Sequence, residues 1–140
     1  MKLLLDTNVV SEPASRAPNP RVLAWIAAQD PLALHVSVVT WAEIEEGIAR
    51  LPRSRRRREL EDWREALFES IEDRLLIVDR RIASAWGAIR ARLALRKLSM
   101  APIDGFIAAT AEVYGMIVVS RNARHFAPWG GPLINPWSED

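Results

Sequence analysis

The chain has 140 residues, 19 of them basic and 18 acidic, with 49% hydrophobic residues and no cysteine. That length suits one domain, residues 1–140, able to bury about two-thirds of its unfolded surface. The lack of thiols excludes disulfides and thiolate metal sites and fits a reducing cytoplasm, no apolar run approaches the ~20 residues of a membrane span, and the net charge of +1 singles out no partner.

In chain order, Lys2 to Leu5 reads as a short buried strand, too brief and too soon interrupted by Asp6 for a secretory signal, so the domain is expected to start at Met1. A helical turn and the polar loop PASRAPNP follow. Pro20 then opens a helix to about Gln29, with Val22, Leu23, Trp25 and Ile26 available to the core. Leu34 to Ser37 reads as a second strand. Thr40 is expected to begin a helix that runs to Leu51 and stops before Pro52. Ser54 suits the N-cap of a polar helix to about Phe68, whose Leu60, Trp63 and Leu67 form one narrow stripe. Of the 19 basic residues 17 are arginine, and five lie between Arg53 and Arg58. Arginine suits phosphate, but this run reads first as a solvated helix face. Arg74 to Val78 gives a third strand. Ile82, Ala85, Trp86, Ile89 and Leu93 mark an amphipathic helix. Pro102 to Tyr114 is a helix apolar nearly all round, closed by Gly115. Met116 to Ser120 forms a strand, Asn122 to Phe126 a turn or short helix, and Pro132 to Asn135 an edge strand. Strands alternating with helices predict an α/β fold with a mostly parallel sheet.

Ligands of such sheets collect beyond the carboxyl ends of the strands. Four polar residues stand there: Asp6 after the first strand, Glu43 in the first turn of the helix after the second, Asp104 in the first turn of the apolar helix, and Asn122 after MIVVS. Each also has a local explanation. Asp6 or Asn8 can cap the next turn, Thr40-Trp41-Ala42-Glu43 matches a capping box, Asp104 complements a helix dipole, and Asn122 suits a turn. Together these explanations weaken. A carboxylate on so apolar a helix requires a partner, and the nearest downstream base is Arg121. Three carboxylates meeting in one crevice repel one another unless a cation lies among them. Oxygen donors without cysteine or histidine suit Mg²⁺ or Mn²⁺.

The segments LLLDTNVVSE, VSVVTWAEIEEGI, APIDGFIAATA, IVVSRNARHF and PLINPW, in this order along essentially the whole chain, resemble the PIN-domain ribonucleases of the VapC and FitB toxin type. The resemblance implies a parallel sheet between helical layers and a Mg²⁺- or Mn²⁺-dependent acidic pocket. It further implies an endoribonuclease toxin neutralised by a cognate antitoxin, which would present an arginine to that pocket, and a toxin homodimer. Carried onto this sequence, it assigns Asp6, Glu43 and Asp104 to the metal and catalysis, with Asn122 at a fourth catalytic position. Ser120 stands where threonine is common and would orient a ligand or water, and Asn8 would be a polar support. His125 replaces a carboxylate usual in this branch. It is expected to be a tolerated change, with phosphate contact or leaving-group protonation as the alternative.

The expected reaction is hydrolysis of RNA phosphodiesters. Because an acidic pocket repels RNA, cations around it must hold the backbone; the candidates are Arg121 and Arg124, with Arg96 and Lys97. The six tryptophans, at positions 25, 41, 63, 86, 129 and 137, read as core or interface packing before base stacking. The stripe of the arginine-rich helix, with the helix before it, would offer a groove to an antitoxin helix. His35, alternating within a strand, reads as structural. Two other readings stay open. One is a catalytically inactive PIN domain serving as an antitoxin- or nucleic-acid-binding regulatory module. The other, disfavoured because DTNVV lacks a second aspartate and a lysine, is a phosphatase with an aspartyl nucleophile.

Overall fold

A computed structural model describes residues 1–138. The strands β1 (Leu3–Leu5), β2 (Leu34–Ser37), β3 (Leu75–Leu76), β4 (Ile117–Val119) and β5 (Leu133–Ile134) form one sheet in the order β3-β2-β1-β4-β5, every neighbouring pair parallel. Around it lie α1 (Thr7–Val10), α2 (Pro20–Ala27), α3 (Val38–Ala49), α4 (Arg55–Ile71), α5 (Arg80–Leu95), α6 (Pro102–Tyr114) and α7 (Ala123–Phe126). This is the expected α/β architecture. The chain lays β2 and β3 on one side of β1, then returns to add β4 and β5 on the other. The reversal places a crevice beyond the carboxyl ends of β1 and β4, where ligands of open parallel sheets bind.

Period-two alternation divides the central strand between two cores. Leu3 and Leu5 pack with Val9, Val36, Ile44 and Val119, whereas Leu4 packs with Ile82, Ile89, Ile107 and Val118. Both faces of β1 are therefore covered, and LLL and IVV read as unbroken apolar runs rather than alternating ones. Each fully buried leucine here contributes roughly 1.5–3 kcal/mol relative to exposure.

Several bounds differ from the sequence-based expectation, and two of the differences have a clear physical cause. α3 starts at Val38 rather than Thr40, because the Ser37 hydroxyl caps it by accepting from the Val39 amide at 3.2 Å. The Thr40–Glu43 capping box therefore does not form, and Glu43 lies in the second turn rather than the first. β3 is two residues long instead of five. Its Leu76 pairs with Ser37, the last residue of β2, so Ile77 has no strand to pair with and stands 66% exposed. Arg74, expected in the strand, instead closes a 3-10 turn and donates to the Leu34 and Ser70 carbonyls.

The helices that carry the site are anchored by close packing. A side chain at Gly105 in α6 would place its Cβ 2.3 Å from Trp86 Cη2 of α5, so glycine lets the indole lie directly on the α6 backbone. α5 ends with a pair of bonds, Leu98 N–H to the Leu93 carbonyl and Lys97 N–H to the Ala94 carbonyl. Lys97 takes the left-handed conformation, φ 58°, that this termination demands.

Candidate active site

Asp6 is 5% exposed at the end of β1, and its burial is matched by hydrogen bonds. Its Oδ1 accepts from the Thr7 amide at 2.9 Å, capping α1 as the sequence allowed. Its Oδ2 accepts from the fully buried Ser120 hydroxyl at 2.7 Å and from Asn8 Nδ2 at 3.3 Å. Ser120 Oγ also accepts from the Asn122 amide at 2.9 Å. Asn8 Oδ1 accepts from the Arg121 amide at 3.0 Å, so one short side chain ties the β1 end to the loop after β4. Ser120 and Asn8 thus hold Asp6 in one orientation.

Glu43 reaches the same crevice from α3. Its Oε1 accepts from the Thr7 hydroxyl at 2.6 Å. Thr7 is a site residue that sequence reasoning passed over. The signal was present in DTN, whose three side chains hold three different partners here. One helical turn before Glu43, the fully buried Thr40 hydroxyl has no hydrogen-bond partner among the described residues. A buried hydroxyl costs about 1–3 kcal/mol unless a protein group or bound water satisfies it.

Asp104 enters from the first turn of α6. Burial raises its carboxyl above the ordinary carboxylate range, and the nearby Asp6 charge, then Glu43, add to the rise. His125 acts the other way, so this imidazole from α7 also lies close to the acidic group. Two of the carboxylates predicted from sequence, Asp6 and Glu43, therefore act on the third. Among the described residues none of them pairs with a lysine or arginine. Nor are three acidic or histidine side chains gathered there as a ready-made metal cage. The donor set still suits a hard cation in kind: carboxylate oxygens, like-charged and without counterions, beside an unpaired buried hydroxyl.

The remaining predicted residues lie around this centre. Asn122 is exposed at the N-cap position of α7, but its side chain makes no capping bond. Arg121 and Arg124 are exposed on the same loop and helix. Trp86 and Trp129 are buried, which removes them from any base-stacking role, and the His35 ring of β2 meets the carbonyl of Ala33 in the 3-10 turn just before the strand. The Arg53–Arg58 run is only partly a solvated face. Arg56 donates to the Ala14 carbonyl and Arg57 to the Leu51 carbonyl, tying α4 to the loops beside the crevice.

Next to the carboxylates runs a groove of about 690 Å³. Thr7, Asn8 and Glu43 line its acidic end, Ile44, Ile48, Leu51, Leu60 and Trp63 its apolar floor, and Arg121 and Trp137 its rim.

The fold and this crevice define a parallel α/β domain with an acidic pocket at the sheet's switch point. Residues 3–128 match the family model of the PIN domain. The chain is 38% identical to the plasmid stability protein StbB of Pseudomonas syringae pv. tomato, over 96% of this chain and 98% of that protein. It is 34% identical to the VapC ribonuclease Y4jK of Sinorhizobium fredii, over 96% and 97%. Among solved structures it resembles FitAcB from Neisseria gonorrhoeae, with a TM-score of 0.91 and 32% identity over 96% of this chain and 98% of that one. The chain belongs to the PIN-domain family.

Proposed function

We propose that this PIN domain is a Mg²⁺- or Mn²⁺-dependent endoribonuclease toxin that a cognate antitoxin holds inactive. The observation that carries this reading is the set Asp6, Glu43 and Asp104. The three carboxylates come from three elements, Asp6 and Glu43 both push the Asp104 carboxyl up, and among the described residues no lysine or arginine pairs with any of them, which supports a shared site. The relatives named as a VapC ribonuclease and as FitB toxin support the nuclease and toxin parts.

A bound divalent ion would supply an activated water and neutralise charge on the phosphate's non-bridging oxygens. Asp6, Glu43 and Asp104 would hold it. Ser120 and Asn8 keep the Asp6 carboxylate turned toward the crevice, and Thr7 does the same for Glu43 while leaving Glu43 Oε2 available. Asn122 would meet the substrate or a water. Arg121 and Arg124 would hold the RNA backbone that the acidic pocket itself repels. The apolar groove floor formed by Ile44, Ile48, Leu60 and Trp63 would take an apolar antitoxin segment. By the same family reading the toxin is a cytoplasmic homodimer, which light scattering checks.

The test is cleavage of total RNA by the purified protein with Mg²⁺ or Mn²⁺. Cleavage should occur, stop with EDTA, and be absent in Asp6→Asn. His125, standing at a position where the resemblance expects a carboxylate, favours one second reading, a PIN domain that binds without cutting. Metal binding with no cleavage of any RNA would decide for it.

A further inference from the structure

The rim of the groove carries a feature that the acidic pocket does not explain. The Arg121 guanidinium lies over the Trp137 ring, 5.4 Å from its centroid. Three further contacts fix this pair in place. The Asn135 side chain accepts from the Trp137 amide at 2.9 Å and donates to the Arg121 carbonyl at 3.4 Å. The Arg121 amide in turn donates to Asn8, which holds Asp6. A connected path thus runs from the catalytic carboxylate to the tryptophan. Among the described residues the guanidinium meets no carboxylate or carbonyl, although Glu43 lines the same groove.

We infer that Trp137 is a positioning residue for RNA: by holding the Arg121 guanidinium at the mouth of the acidic pocket, it builds a subsite for the nucleotide next to the scissile phosphate. This rests on the ribonuclease reading above. An exposed arginine has several freely rotating bonds, and stacking on an indole orders it before a ligand arrives. The guanidinium carbon stands over the Trp137 ring. The outer face suits a nucleobase and the N–H edge a phosphate, which is how single-stranded RNA is commonly held. Charge selects the occupant. A cation at this lip attracts a phosphate and repels a basic protein side chain, so the rim suits RNA while the apolar floor suits an antitoxin.

The experiment measures kcat and KM for cleavage of a short mixed-sequence single-stranded RNA across salt concentrations. It compares the wild-type chain with Arg121→Ala, Trp137→Leu, Trp137→Tyr and the double variant Arg121→Ala/Trp137→Leu. Arg121→Ala and Trp137→Leu should each raise KM roughly two- to five-fold with little change in kcat. The double variant should be no worse than Arg121→Ala alone, and Trp137→Tyr should restore KM. Arg121→Ala should also reduce the slope of log affinity against log salt by about 0.7. The inference is overturned if Trp137→Leu leaves KM unchanged, if the two effects add, or if kcat and thermal stability fall together without rescue by tyrosine. It is equally overturned if these variants weaken only the hold of a co-expressed antitoxin, since the rim then belongs to a protein partner. A wild-type chain that cleaves no RNA with any divalent metal removes the ribonuclease reading itself, and this inference with it.

Discussion

Within DTN, Thr7 has the least obvious role, and its contact is short: its hydroxyl lies 2.6 Å from Glu43 Oε1. A hydrogen bond to a charged group is worth roughly 1.5–3 kcal/mol. Thr7→Val should therefore lower the melting temperature by several degrees and slow RNA cleavage, whereas Thr7→Ser should retain most of both. Asp104 gives a prediction of opposite sign for stability. Its pKa in the fold stands above the ordinary value of 3.8, because of burial first and the Asp6 charge next. Folding therefore favours the protonated form. That contribution is complete below the ordinary carboxylate range and is lost as pH rises through the raised pKa, so at neutral pH the ionised group destabilises the metal-free protein. Asp104→Asn should accordingly melt higher than wild type at pH 7 without metal, and the advantage should shrink as pH falls through the raised pKa and be gone below about 4. Parallel melting curves for the two proteins across pH would contradict this.

The elements carry these residues by packing that is only partly written in the sequence. Gly105 reads as a weak point in an apolar helix, yet it is the surface on which Trp86 rests. Gly105→Ala should cost about 1–3 kcal/mol in denaturant unfolding, as overpacking does. It should also reduce cleavage, because the displaced backbone carries Asp104. Helix identities and the strand at Leu34–Ser37 were legible because caps, prolines and apolar spacing are local signals. The start of α3 was not. Ser37 and Thr40 are both good N-caps, and the choice depends on where β2 stops pairing, a property of its neighbour. The length of β3 was illegible for the same reason: Ile77 and Val78 look like strand residues, but β2 has already turned into α3 beside them. Arg56 and Arg57 read as solvated charges because their acceptors, the Ala14 and Leu51 carbonyls, are backbone atoms with no mark in the sequence.

For the whole molecule, the decisive feature is the reversal of strand order at β1. It brings residue 6 beside residue 120 and leaves Glu43 of α3 and Asp6 near enough to Asp104 of α6 to raise its carboxyl. The four polar positions were legible as residues following strands or opening helices, and the family resemblance ordered them into one expected site. What the sequence left out was the support: Thr7 beneath Glu43, the Asn8 bridge to the β4 loop, and the Arg121–Trp137 stack at the rim. These contacts join residues far apart in the chain, and only the parallel register makes them neighbours.

The central claim is that Asp6, Glu43 and Asp104 form one cation site. A calorimetric titration of Mn²⁺ into the wild-type protein and into Asp6→Asn, Glu43→Gln and Asp104→Asn tests it most directly. The account predicts saturable binding by wild type and at least about tenfold weaker binding in each variant. Undiminished Mn²⁺ affinity in all three variants would contradict it.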